Sequence, residues 1–333
     1  MSSTPAAFSG ETRHAPASSW QAADDHLRYA LTQFCTQERF EDEFVLAALD
    51  FWGVDAIEDL PIDLRTETPE FLLTFEWYLY DYAESASDQR MIDLFAQAEG
   101  ERLPALERQL LAHWRQATLA PYEVIAVQRG SGYTVRNILD DRVYPVDEPP
   151  TSEDMKTGDI LLARLLPVGE IYRPSSVFRT LGPADFPRLL ATIRDWYAQY
   201  QREQPGATHA DFLRQQGFLF NDYVLERMAL ADRLAAQAAG EDAPADAEDD
   251  FEPADPALIE ATRAWLEREY IAWLDRPTPA LAGLTPRAAV HEPAQRQRLL
   301  NLLDEMGSIE ASYALVGEPA FEVSRLRAEL QLD

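Results

Sequence analysis

Lysine is almost missing from this chain. Of its 29 basic residues only Lys156 is a lysine, and the rest are arginine. Against them stand 58 acids, which leaves a net charge of −29 over 333 residues. Such a field repels phosphate unless bases are concentrated locally, and no basic patch is present, so a nucleic-acid-binding regulator is disfavoured. Cysteine occurs once, at Cys35, which excludes an intramolecular disulfide and any cysteine-rich zinc site. It sits in an apolar helical pattern with Tyr29, Leu31 and Phe34 and reads as a buried, inert thiol. No run approaches the roughly 18 apolar residues of a membrane span, and no basic stretch precedes a short apolar one. These absences predict a cytoplasmic protein with no membrane contact.

What is present is ample apolar material, 46% of the residues, with 7 Trp, 13 Tyr and 15 Phe. At this length more than one core is expected. Residues 1–18 are rich in Ser, Ala, Pro and Gly and are expected to be a mobile tail. Helical spacing begins near Trp20 and recurs over Glu41–Trp52, where Gly53 supplies a stop. Thr68-Pro69-Glu70 is a helix start with a cap, an N1 proline and a first-turn acid. The helix it opens, Phe71–Tyr82, is aromatic on nearly every side and is expected to be central to a helical domain over 19–118. Further helices are predicted from about Asp88 through Phe95 and over Leu103–Trp114.

The period then changes. Tyr122–Gln128, Tyr133–Leu139, Val143–Val146, Ile160–Leu166 and Ile171–Phe178 read as short strands between turn signals such as Gly130-Ser131-Gly132 and Gly158-Asp159. No helices separate them, so a doubly wound sheet is excluded and a small antiparallel barrel or curled sheet is predicted over 119–182. Residues 183–239 return to helix, with Phe186, Leu189, Leu190, Ile193, Trp196 and Tyr197 on one stripe. Residues 241–255 hold eight acids, no base and two prolines, which predicts a solvated acidic linker over 240–255. Beyond it lies a helical module, 256–333. The fold class is therefore α+β.

Within that module a helix opens at Pro256 and stops before Pro277, because the residue preceding proline is pushed out of the α region. Thr285-Pro286 and Pro293 start two more, and Gly307 is read as the end of the last. The run WLDRPTPALAGLTPRAAV (Trp273–Val290), followed by QRLLNLLDEM, resembles the toxin-binding C-terminal domain of Xre/MbcA/ParS-type antitoxins. The likeness covers about fifty residues and rests on the Trp-Leu turn, the Pro-x-Leu-x-Gly-x-x-Pro spacing (Pro279–Pro286) and the leucine-rich helix. The whole chain also looks like uncharacterised bacterial proteins of the SEC-C type, on Phe75–Asp81, Gly158-Asp159 and Trp273–Pro286. The SEC-C cysteines are absent, so zinc is not carried over, and no basic DNA-reading helix-turn-helix precedes the tail. The resemblance implies a protein-docking fold with a protein partner bound through 256–333. Tyr270, Trp273 and Leu281 are the candidate anchors, with Arg276 and Arg287 at the rim; the alternative is that these residues close a small core.

For catalysis the candidates are Glu76 and Asp81 on the aromatic helix and Asp159 at a strand end. Carboxylates in apolar surroundings can act as acids, bases or metal ligands. Glu76 and Asp81 stand roughly 140° apart on a continuous helix of 3.6 residues per turn, which forbids a shared face. Asp140-Asp141 and Asp159 are read first as turn residues. The five histidines, 14, 26, 113, 209 and 291, lack metal-ligand spacing, and His113 reads as packed or exposed. No phosphate loop or nucleophile elbow occurs. No cofactor or metal is expected. The leading expectation is a non-enzymatic interaction protein, and the alternative is a carboxylate- or metal-dependent hydrolase.

Overall fold

A computed structural model describes residues 17–239 and 256–332. Almost all of the expected tail, and the whole acidic stretch 240–255, lie outside the described residues. The helical N-terminal part comprises α1 (Ala17–Cys35), α2 (Glu41–Trp52) and α3 (Pro69–Tyr80). A two-stranded ribbon, β1 (Ala83–Glu84) and β2 (Gln89–Arg90), follows, and then α4 (Met91–Glu99) and α5 (Ala105–Trp114). The punctuation works as the residues dictate. Thr68 Oγ1 accepts from the Phe71 amide at 3.2 Å with Pro69 in the first turn, and Gly53 closes α2 at φ +62°. Leu27, Leu31, Tyr78, Met91, Phe95, Leu110 and Trp114 form the interior of this part.

The next strands are β3 (Leu119–Gln128), β4 (Gly132–Asn137) and β5 (Val143–Asp147), followed by the short helix α6 (Pro149–Ser152). Then come β6 (Ile160–Val168), β7 (Ile171–Pro174) and β8 (Arg179–Leu181). The order is β3-β4-β5-β7-β6-β8, and β3 also pairs with β6, so five strands close into a barrel-like sheet with β8 on the outer edge of β6. All pairings are antiparallel except a single parallel register, Val146 opposite Tyr172, between β5 and β7.

Strand β6, reading ILLARLLPV, is buried along its whole length. A strand covered on both faces must be apolar throughout or pair whatever charge it carries. Ile160–Ala163 and Leu165 join the core of the barrel and the later helices, whereas Leu166 and Val168 join the N-terminal core. This strand is the seam between two cores, and its one charged residue, Arg164, points into the N-terminal one.

Helices α7 (Phe186–Glu203), α8 (His209–Gln216) and α9 (Leu219–Ala239) cover the barrel. They are followed by α10 (Pro256–Trp273), α11 (Pro286–Ala289), α12 (Pro293–Leu315) and α13 (Ser324–Glu329). Gly307 does not end α12, which runs on to Leu315: Ile309 and Tyr313 beyond it are buried, and that packing outweighs the cost of one helical glycine. Helix α10 lies along α7, and α12 along α9. Leu266, Tyr270, Trp273, Leu281, Leu299 and Leu303 share one continuous core with Ile160, Leu189 and Phe220. The segment 256–332 is thus part of the barrel's own core, and its packing gives it no boundary of its own.

Glu310 shows how that core closes. Its carboxylate accepts from Arg188 Nη1 at 2.8 Å, from the Tyr270 hydroxyl at 2.6 Å and from the Phe321 amide at 2.6 Å. A buried acid with donors from α7, α10 and the chain after α12 ties three segments together, and each donor offsets part of its desolvation.

Candidate functional site

Glu76 and Asp81 do come together, and the reason corrects the helical-wheel expectation. Helix α3 ends at Tyr80, and Asp81 adopts φ −121°, ψ −34°, outside the helical wheel. Its side chain therefore turns toward the face Glu76 occupies, and both carboxylates meet the guanidinium of Arg164. Arg164 Nε donates to Glu76 Oε1 at 2.5 Å, Nη2 to Asp81 Oδ2, and Nη1 to the Ala117 carbonyl at 2.6 Å; its plane lies 4.9 Å from the Tyr80 ring centroid. Ser175 Oγ donates to Glu76 at 2.7 Å. Burial pushes the Asp81 carboxyl up to about 6, because desolvation outweighs the attraction of Arg164.

These acids are committed to an interior arginine. The adjoining cavity, between α3, β6 and Asn221, is about 20 Å³, room for one water and no substrate. Asp159 does not join them. It accepts from the Lys156 amide at 2.8 Å within its own turn, and partial burial raises its carboxyl pKa. Among the described residues no group of three His, Cys, Asp or Glu side chains is arranged to hold a metal.

The expected anchors of the C-terminal segment are internal. Tyr270, Trp273 and Leu281 are 0–2% exposed, and the Tyr270 ring stacks on Phe321 at 4.5 Å. Of the two readings, exposed anchors or closure of a core, the second holds for these three, whose apolar area is spent on the core. Arg276 reaches Glu123 at 2.9 Å and lies 3.7 Å from the Phe186 ring centroid, so it ties this segment to the barrel. Only Arg287 remains near the surface, held by Asp275 and Glu329, each at 3.2 Å.

A different set of residues converges on an open cleft of about 350 Å³ between the barrel, the C-terminal end of α5 and the start of α8. Its floor and wall are tyrosines from three strands. Tyr122 on β3 meets Tyr144 on β5 at 5.5 Å and 83°, and Tyr144 meets Tyr172 on β7 at 4.9 Å and 88°. Strand alternation places each ring on the same side, and closure of the barrel sets β3, β5 and β7 around one end. Tyr122 is buried while Tyr144 and Tyr172 are half-buried. Burial raises all three phenols, Tyr144 to about 12, so each keeps its proton as a donor at neutral pH.

Four titratable side chains line this cleft besides the phenols: His113, His209, Asp140 and Arg142. His113 Nδ1 lies 2.7 Å from the Gln109 carbonyl, and the His209 ring stacks on Tyr197 at 4.0 Å. Desolvation, then Arg194, lower the His209 pKa, so that imidazole is neutral near pH 7. Asp140 and Arg142 stand at the rim 3.6 Å apart, in the turn between β4 and β5. Sequence reasoning placed Asp140 in a turn and left His113 as packed or exposed. It did not connect the tyrosines, which meet through the curl of the sheet across β4 and the parallel pairing of β5 with β7.

Neither a protein-family model, nor a curated protein, nor a solved structure matches this chain.

Proposed function

We propose that this is a non-enzymatic interaction protein that receives a segment of a partner protein in the tyrosine-walled cleft. The observation that carries this reading is the cluster of three rings, Tyr144 standing nearly perpendicular to both Tyr122 and Tyr172, with Tyr144 and Tyr172 half-buried and their hydroxyls protonated. Tyrosine supplies large, stiff contact area and a hydrogen-bonding tip at low entropic cost, which is why it is enriched at recognition surfaces. The cleft is open and can admit an extended chain. Antitoxin-type docking, suggested by the likeness of Trp273–Pro286, belongs to the same functional class, with the contact surface moved from 256–333 to the barrel. The hydrolase alternative draws no support from Glu76 and Asp81, whose carboxylates are occupied by Arg164.

The test is a selection of random displayed peptides on the full chain, with the double variant Tyr144→Ser, Tyr172→Ser as counter-target. Both side chains are half-buried at the mouth of the cleft, so the variant should keep its far-ultraviolet spectrum and a cooperative thermal transition. Peptides that bind the parent chain and lose about tenfold or more in affinity on the variant, about 1.4 kcal/mol, are expected. Selected peptides that bind both proteins equally would place recognition elsewhere and remove the reading.

A further inference from the structure

We infer that the tyrosine cleft selects a cationic side chain, and a guanidinium ahead of an ammonium, from the segment it receives. The inference rests on the interaction reading above and adds the chemistry of the ligand. The half-buried rings of Tyr144 and Tyr172, at 88° to each other with Tyr122 buried behind Tyr144, offer negative quadrupole density from two directions, which suits a cation. Asp140 stands at the rim as the one fixed negative charge among the lining residues, and its charge acts on both Tyr122 and Tyr144. His209 is neutral, and the nearby Arg194 is already engaged by Glu269. The chain as a whole carries −29, a field that draws cations toward the surface.

Arg142 shows that a guanidinium is accommodated at this mouth. It sits 3.6 Å from Asp140 and lines the cleft beside the Tyr144 phenol, on which its charge acts. Its side chain is more than half exposed, and an exposed ion pair of this length is weak, so an incoming group can displace it. An incoming guanidinium can stack on a tyrosine face while its planar fork reaches Asp140 and a phenol oxygen together, which an ammonium cannot do. An anionic ligand would find one mobile arginine beside a carboxylate in a strongly negative molecule.

The cationic assignment makes two rim variants act in opposite directions. The probe is acetyl-arginine amide, titrated into the full chain and followed by the ring resonances of selectively labelled tyrosine. Acetyl-citrulline amide serves as the uncharged isostere and acetyl-lysine amide as the ammonium. Arginine is expected to shift Tyr122, Tyr144 and Tyr172 and to bind more tightly than lysine, with citrulline weaker than either. Asp140→Asn should weaken the arginine probe about tenfold and Arg142→Gln should tighten it about threefold, since the resident competitor is gone. Equal binding of citrulline, or tighter binding to Asp140→Asn together with loss on Arg142→Gln, would overturn the inference. Selected peptides that depend on the tyrosines but carry no basic residue would also overturn it while leaving the interaction reading intact.

Discussion

One guanidinium facing two buried carboxylates leaves a negative charge in excess unless a proton is taken up. Around Arg164 that proton belongs to Asp81, whose carboxyl burial raises from the ordinary 3.8 to about 6. The consequence for stability has a definite sign. Between roughly pH 4 and pH 6 the folded chain holds a proton at Asp81 that the unfolded chain has released, so stability falls as pH rises across that window and is level above it. The many other acids contribute their own slopes, so the measurement is a difference. Urea midpoints of the parent and Asp81→Asn are expected to agree most closely near pH 4, with the parent losing ground up to about pH 6. A difference that grows in the parent's favour over that range would show Asp81 held ionised by Arg164. Removing the arginine is the harsher change. Arg164→Met leaves Glu76 and Asp81 buried without a counter-ion and is expected to cost about 3–5 kcal/mol in urea unfolding.

At the scale of single elements, the turn before β6 is pinned by a close approach. Gly158 has φ +99°, and a Cβ there would lie 2.6 Å from Ala280 Cβ in the Pro279–Leu281 turn. Gly158→Ala therefore combines backbone strain with a steric overlap between barrel and C-terminal segment, and a loss of about 1–3 kcal/mol is expected. Adding Ala280→Gly should recover only part of it, because the backbone N and Cα of residue 280, at 3.0 and 3.1 Å, still crowd the added Cβ and the strain stays; full recovery in thermal unfolding would show that the Ala280 methyl group alone sets the cost. Elements dictated by their own residues were readable from sequence: Thr68-Pro69 and Thr285-Pro286 begin helices, and the runs at β3 to β7, rich in β-branched and aromatic residues between turn signals, form strands. Elements set by distant packing were not. Helix α12 continues through Gly307 because Ile309 and Tyr313 have a core to enter, and β8 exists because β6 offers it an edge. The tyrosine cleft belongs to this second kind. Tyr122, Tyr144 and Tyr172 are ordinary strand residues until the sheet curls across β4 and β7 pairs with β5, and Glu76 joins Asp81 only because α3 stops at Tyr80.

For the whole molecule, the question is whether the chain after the acidic stretch stands alone. Tyr270, Trp273, Leu281 and Leu299 are buried against a core shared with α7, α9 and β6, and Glu310 depends on Arg188 for its counter-ion. A fragment of residues 256–333 would expose those apolar faces and leave a carboxylate without its arginine, so it is expected to lack fixed tertiary structure. The complementary fragment, 1–239, would keep the helical N-terminal core yet lose the partners of Leu189, Ile193 and Phe220. Co-produced as two separate chains, the fragments are expected to purify together one to one and to melt in a single transition below that of the intact protein, since association now carries an entropy cost that the tether removed. An independently folded tail makes the opposite forecast: 256–333 alone would unfold cooperatively, and 1–239 would keep the midpoint of the full chain. Calorimetry on the three species separates these outcomes. It also bears on function, because a tail that completes the barrel's core supports the cleft from behind, and binding at the tyrosines should then weaken when the two fragments are separated.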